Sequence, residues 1–510
     1  MPFSIPPSGV RGLIFNNMNF LSLFVLVPVL MMLALFAARN RKQILSVMTV
    51  GSLALVAMSA YLVVAYLNAR SGGATAPMLF TASEVWYAPL NIHYSVGVDG
   101  VSVAMLCLSA IIVLTGTFTS WKIEPLTKEF FLWFCLLSTG VFGFFISVDL
   151  FTMFMFYEVA LIPMFLLIGI WGSGRKEYSA MKLTLMLMGA SAFLLVGILG
   201  LYFSSGATTM NILELKNLHI PVEQQYLFFT LTFFGFGVLG ALFPFHTWSP
   251  DGHASAPTAV SMLHAGVLMK LGGYGAFRVS IYLMPEAAKV IGPYFLVLTG
   301  IGVVYGAFSA IHQKDLKYIN AYSSVSHCNL VLFAILMMTQ TAMTGAVLQM
   351  LSHGLMTALF FALIGMIYGR THTRLITEMG GLMKIMPFLG VAFVIAGLAS
   401  LGLPGLSGFV AEMTIFIGSF ENADMFRRVL TIASTASIVI TAVYILRMVG
   451  KFLYGPVQDP HHAELTDAVW YERLAVVILI GGIVYIGSFP LGLSDMINHS
   501  LGDVMAQLAR

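Results

Sequence analysis

Charge is what this 510-residue chain has least of. Lys, Arg, Asp and Glu together make up 9% of it, where an ordinary soluble domain carries about 25%. So few charges cannot cover the surface of a soluble protein this long, which excludes soluble enzymes, nucleic-acid binders and disordered scaffolds together. Cysteine is scarce too. Cys107, Cys135 and Cys328 sit in apolar runs without C-x-x-C spacing, so no disulfide framework or iron–sulfur site is expected. The net charge of +3 is too small to imply an anionic partner. No Walker loop, no G-x-G-x-x-G after a strand and no H-E-x-x-H occurs, so neither a cofactor nor a metal is expected in this chain. The His461–His462 pair lies in a polar loop, QDPHHAELTD, and is expected at the surface rather than on a metal.

What is present is apolar. Hydrophobic residues make up 59% of the chain, and mean hydropathy is +0.91. A bilayer-spanning helix needs about 20 mostly apolar residues. About fourteen such runs follow one another, from one starting near Phe20 to one starting near Leu474. The fold class read from this is an all-α polytopic membrane protein. The first twenty residues show no basic stretch ahead of a short apolar core and no cleavage site, so the first run is expected to be a retained helix. Sixteen Lys and Arg residues, Arg39 to Arg473, fall on one set of connections and seven, Arg11 to Arg510, on the other. That bias places both termini outside and the richer side in the cytoplasm.

Two runs are interrupted alike. FGFGVLGALFPFHTWSP carries Gly235, Gly237, Gly240 and Pro244, and IAGLASLGLPGLSGFVAE carries Gly397, Gly402, Pro404, Gly405 and Gly408. Irregular backbone at membrane depth is tolerated only where protein or a wet cavity surrounds it, and paired breaks point to a transport site. The breaks fall at the seventh and twelfth runs, the spacing expected of two inverted five-helix repeats. The organisation read from this is helices 1–3 in 1–127, a first repeat in 128–283, a second in 284–455, and a loop, last helix and tail in 456–510.

Ionisable residues stand where they are expensive. A charge at the bilayer centre costs about 2.5–3.5 kcal/mol even on lenient scales. Glu158 lies nine residues past Asp149, roughly 13 Å deep at 1.5 Å per residue. Lys270, His327, His353 and Glu412 are placed comparably, so five titratable groups on five helices form a row across the membrane plane. Carboxylate, imidazole and amine take and release protons as their surroundings change, whereas arginine does not. Arg278, eight residues beyond Lys270, is expected to snorkel to the interface.

The stretch HTWSPDGHASAPTAVSMLHAGVLMKLGGYG (246–275), with VGVDGVS (96–102), AYSSVSH (321–327), MLSHG (350–354) and LGLPGLSGFVAE (401–412), resembles the proton-translocating antiporter-like subunits of respiratory complex I, the NADH:quinone oxidoreductase. Within that family it resembles the M-type subunits (chain 4), which end the central row with glutamate on the broken twelfth helix. The resemblance covers about residues 96–455. It implies that Glu158 modulates the channel, Lys270 holds the proton, His327 and His353 relay it, and Glu412 passes it on. His246 opens the signature, and His264 is a further candidate for proton transfer. One departure stands out. Seven residues before His246 the family has a lysine that pairs with the fifth-helix glutamate; here the residue is Leu239, and no Lys or Arg occurs between Lys216 and Lys270.

The function expected from residues and resemblance together is proton translocation by a membrane subunit of complex I in a bacterial inner membrane. Its energy would come from quinone reduction elsewhere, with flavin, iron–sulfur clusters and quinone in partner subunits. Expected partners are the other membrane-arm subunits, above all neighbouring antiporter-like ones, and the lipid bilayer. The competing readings are a subunit of a multisubunit cation/proton antiporter or membrane-bound hydrogenase, and a non-pumping structural subunit that Leu239 keeps open.

Overall fold

The computed structural model describes residues 19–206 and 208–509. Residues 1–18, which carry most of the leader reading and Arg11, lie outside the described residues, as does Arg510 of the charge count. In chain order the helices of eight residues or more are α1 (Leu23–Ala37), α2 (Arg41–Ser71), α3 (Gly100–Thr119), α4 (Thr127–Ile146), α5 (Leu150–Trp171), α6 (Lys176–Ser204), α7 (Val222–Leu239), α8 (Trp248–Ser255), α9 (258–281), α10 (Pro285–His312), α11 (Leu316–Leu336), α12 (Gln340–Thr371), α13 (Pro387–Ser400), α14 (Ser407–Phe420), α15 (Met425–Phe452), α16 (Trp470–Ser488) and α17 (Leu491–Leu508). All but α7, α8, α9, α13, α14 and α17 are long and apolar enough to cross a membrane, eleven in all among the described residues.

The apolar runs become helices because a bilayer offers backbone groups no other partner. Their starts are fixed by side chains that satisfy the first free N–H groups. Asp99 accepts from Ser102 N at 2.9 Å, Asp149 from Thr152 N at 3.0 Å and Asp315 from Lys317 N at 2.8 Å. Burial then sorts the helices. α3, α11 and α12 are enclosed on nearly all sides, while α1, α2, α6, α15 and α16 leave more than half of their spans uncovered. The uncovered side chains are apolar, Leu33, Val50, Leu185, Ile432 and Val477 among them, as a lipid-facing surface requires. Polar side chains gather on the enclosed helices instead.

The interruptions repeat one backbone geometry. At the end of α7, Gly240 N donates to Phe236 O (2.9 Å), Ala241 N to Val238 O (3.0 Å) and Leu242 N to Gly237 O (2.8 Å). At the end of α13, Leu401 N donates to Gly397 O (2.9 Å), Gly402 N to Ala399 O (3.3 Å) and Leu403 N to Leu398 O (3.0 Å). The same position is left-handed in both, Ala241 with φ 58° and Gly402 with φ 73°. Alanine there costs about 1–2 kcal/mol, so the turn needs outside support. Asn329 of α11 supplies it, donating to the Ala241 carbonyl at 2.8 Å and accepting from Phe243 N at 3.3 Å. A second arrangement also recurs. Leu150 N bonds Met210 O and Ile212 N bonds Val148 O, both at 2.9 Å; Leu316 N bonds Arg374 O and Ile376 N bonds Lys314 O, also at 2.9 Å.

α9 is wound unevenly. It is α-helical over Thr258–Leu263 and Met269–Gly275, and π-helical over His264–Leu268 and Ala276–Ile281. π turns inside helices are costly and concentrate at functional sites.

Four features depart from the sequence reading. An antiparallel hairpin, β1 (Leu79–Tyr87) and β2 (Ile92–Val98), joins α2 to α3, turning at Asn91 with φ 49°. Helical periodicity hides it, although SEVWY and IHYSV do show β-branched and aromatic residues around an Asn. The tail expected after the last span is the amphipathic helix α17. Arg278 does not snorkel; it is buried and paired with buried Asp99, because α3 starts beside it. Of the loop pair, His461 is exposed but His462 is buried; a turn at Pro460–Glu464, capped by Asp459, folds it inward.

Candidate functional site

Lys270 sits in the short α-helical stretch between the two π turns of α9 and is buried. Its Nζ donates to His353 Nδ1 at 2.5 Å and to the carbonyl of Ala265. A pair of glycines makes this contact possible. A Cβ added to Gly354 would stand 2.7 Å from the Gly266 carbonyl, and one added to Gly266 would stand 3.2 Å from the Gly354 carbonyl. The backbones of α9 and α12 therefore touch directly, which is how small residues bring membrane helices together. His353 follows from that approach, one residue before Gly354.

From His353 the polar chain continues laterally. Its ring centre lies 5.3 Å from that of His327 on α11. His327 Nδ1 accepts from Gln349 Nε2 at 3.0 Å and lies 3.6 Å from Glu412 Oε1. Gln349 is on α12, one turn before His353, so one helix holds both neighbours of His327. Glu412 is on α14, just after the second break, and is buried. The break positions it: a Cβ on left-handed Gly402 would stand 3.0 Å from Glu412 Oε2. Glycine lets the turn close on the carboxylate. Lys270, His353, His327 and Glu412, on four helices, thus form one contiguous polar string. His353 Nε2, His327 Nε2 and Gln349 Oε1 are buried without a hydrogen-bond partner among the described residues.

The other expected residues are placed differently. Glu158 of α5 is only partly buried, against Ser191 of α6, and its Oε1 has no hydrogen-bond partner among the described residues. α6 and α7 stand in sequence between it and α9, and no described contact joins it to the string. His246 is boxed between the rings of Phe243 (5.6 Å) and Tyr305 (5.0 Å) and likewise makes no contact with the string. Leu239, where the family lysine is absent, is fully buried as the last residue of α7. His264 lies one turn and a half before Lys270, stacked on Trp248 at 5.3 Å, and neither ring nitrogen has a hydrogen-bond partner among the described residues.

Beside it lies a residue that sequence reasoning did not single out. His253 of α8 is fully buried, its ring 4.4 Å from that of His264, and its Nε2 is 3.4 Å from the sulfur of Met269, next to Lys270. Its signal was its place inside the quoted HTWSPDGH segment. Two residues earlier on α8, Asp251 is paired with Lys182 of α6 at 2.7 Å and accepts from Tyr318 Oη at 3.0 Å. Those groups are partly exposed; among the described contacts His253 meets His264 and Met269, and none joins Asp251 to them. Lys317, counted above among loop residues, is buried with Nζ on the Ala256 carbonyl at 2.6 Å. Gln349 and Asn329 were missed as well, since neutral amides in a helix carry no charge to mark them.

Comparison with known proteins gives consistent matches. The family described as NADH:quinone oxidoreductase/Mrp antiporter, TM, matches residues 147–441, more than half of the chain. NAD(P)H-quinone oxidoreductase chain 4-2 of Synechocystis sp. is 37% identical over 374 residues, 72% of this chain and 67% of that protein. Chain 4 2 of Microcystis aeruginosa is 33% identical over 464 residues, 85% of this chain and 84% of that one. Among solved structures, a chain of respiratory complex I from Thermus thermophilus has a TM-score of 0.86 at 24% identity, covering 96% of this chain and 99% of its own. A chain of the Mrp complex from Dietzia sp. has a TM-score of 0.82 at 19% identity with the same coverage. The likeness to both solved structures is one of fold.

Proposed function

Since the chain belongs to the NADH:quinone oxidoreductase/Mrp antiporter membrane family, we propose that it carries protons as a membrane subunit of an NAD(P)H:quinone oxidoreductase. The observation that bears most weight is the Lys270–His353–His327–Glu412 string, buried in the middle of the helix bundle. Each member can hold a proton and give it up, and each lies within reach of the next or of one bridging water. Lys270 loads and stores the proton. His353 takes it through Nδ1, His327 passes it across the gap between α12 and α14, and Glu412 hands it to the far edge of the bundle. Loading runs from Asp251 through His253 and His264, which takes the part of the family lysine that Leu239 replaces. Glu158 acts on this inlet from α5 by its charge.

The energy comes from redox chemistry in partner subunits that hold flavin, iron–sulfur clusters and quinone, and the neighbours are other membrane-arm subunits in a bacterial inner membrane. The recurring break geometry and the recurring backbone bridges support two five-helix repeats over 128–283 and 284–455. Fourteen spans follow if the interrupted runs α7–α8, α9 and α13–α14 each count as one crossing.

The test is proton uptake per NADH oxidised in inverted membrane vesicles. Lys270→Ala and Glu412→Gln should each assemble, and each should lower the proton yield by this subunit's share. One specific observation, buried Leu239 with no cation in α7, favours a second reading as a non-pumping spacer. Wild-type yield in both variants would establish the spacer and refute the proposal.

A further inference from the structure

The helix that carries Lys270 bears two more polar side chains on the same stripe, Tyr274 and Arg278, and Tyr282 follows just past its end, each four residues further on. They lead towards the end of the molecule that carries the β-hairpin. Tyr274 Oη bonds Ser102 Oγ at 2.7 Å. The Arg278 guanidinium lies over the Tyr274 ring at 5.3 Å and over Phe277 at 5.2 Å, and pairs with Asp99. Tyr282 Oη donates to Asp503 of α17, which Lys216 also holds at 2.6 Å. Arg278 and Asp99 are buried, whereas Lys216 and Asp503 reach the surface. Polar groups therefore follow one another from the turn after the buried lysine to one face of the molecule, and nothing in the transfer string uses them.

Its composition tells what it does. A conducting line needs groups that release protons, yet its central member is an arginine, which does not. Locked against Asp99 and the Tyr274 and Phe277 rings, the guanidinium can neither accept a proton nor pass one on, so the polar line stops there. Asp99 holds the arginine in place, and the pair costs less to bury than an unpaired charge would. α17 closes the surface end: Ser500 Oγ accepts from Gly100 N at 2.7 Å, fixing the start of α3 beside Asp99, and Asp503 covers Tyr282.

The geometry points to a two-layer proton seal under Lys270, made by the Asp99–Arg278 pair and by Lys216 with Asp503 of α17, which blocks the hairpin side and obliges the proton on Lys270 to leave sideways through His353. This rests on the proton-transfer reading above. The seal accounts for a pair of buried opposite charges and for an amphipathic last helix, neither of which the transfer string requires.

The experiment reconstitutes the whole complex into liposomes and measures passive proton flux under an imposed potential, with no NADH present. The paired variant Asp99→Asn/Arg278→Gln removes the inner layer without leaving a lone charge. Asp503→Asn, at a partly exposed site, tests the outer layer should the inner pair prove necessary for assembly. We expect flux to rise about tenfold in the paired variant, equivalent to about 1.4 kcal/mol of barrier, and by a smaller factor in Asp503→Asn. Adding Lys270→Ala should return the flux to the wild-type level. Wild-type flux in the assembled variants, or a leak that persists without Lys270, would overturn the seal. Failure of the proton-transfer reading shows separately, as NADH-driven pumping unaffected by Lys270→Ala.

Discussion

The contact between Gly266 and Gly354 makes a quantitative prediction about the whole string. In Gly354→Ala the new Cβ would stand 2.7 Å from the Gly266 carbonyl and 2.7 Å from a Leu108 methyl. The leucine can turn away, but the carbonyl is backbone within a helix. An ordinary contact there needs α12 to retreat from α9 by roughly 0.7 Å. The bond from Lys270 to His353 Nδ1, 2.5 Å long, then stretches to about 3.2 Å, the outer edge of hydrogen bonding. Overpacking of this kind costs about 1–3 kcal/mol, within reach of a helix held on every side. Misplacement approaching 1 Å slows a positioned reaction by up to about a hundredfold. We therefore expect Gly354→Ala to assemble, as judged by native electrophoresis of the complex, yet to pump like Lys270→Ala in the vesicle assay. Gly369, in the same helix with open space around it, is the control, and Gly369→Ala should pump normally. An assembled Gly354→Ala complex with full proton yield would refute the claim that close backbone approach sets the relay.

Three further outcomes follow from named contacts. Gln349→Met keeps the volume but removes the donor to His327 Nδ1, so proton yield should fall while NADH oxidation and assembly persist; Gln349→Asn, which can still donate, should recover part of the loss. Asn329→Leu strands the Ala241 carbonyl and Phe243 N, costing about 1–3 kcal/mol for each buried group, and should lower the thermal stability of the purified complex, read by its unfolding temperature. His253→Phe preserves stacking against His264 and Phe361 but ends proton transfer, so loading of Lys270 should slow in single-turnover proton-uptake traces.

Much of this molecule is legible in its sequence, and the reason is solvent. In a bilayer every polar residue is an exception, so Lys270, His327, His353 and Glu412 announce themselves by type and depth alone. Breaks are equally visible, because Gly240 and Gly402 interrupt apolar runs that otherwise have no reason to stop. Partnership is what sequence hides. Arg278 reads as an interfacial residue by its distance from Lys270, but its fate is set by Asp99, 179 positions away. Gln349 and Asn329 look like ordinary helix residues until α11 and α12 come together. The π turns around Lys270 carry no compositional mark, since HAGVL and AFRVSI would fit an α-helix as well. Lys317 sits at a helix start where basic residues belong, and only packing against Ala256 shows it to be enclosed.

The most direct test of the central claim is the proton yield of Lys270→Arg. Arginine keeps the positive charge and can donate to His353 Nδ1 and the Ala265 carbonyl, but it does not give up its proton. If Lys270 stores and releases the transported proton, Lys270→Arg should assemble, oxidise NADH and pump no better than Lys270→Ala. If arginine restores the yield that alanine loses, Lys270 is a structural cation and the string does not carry protons.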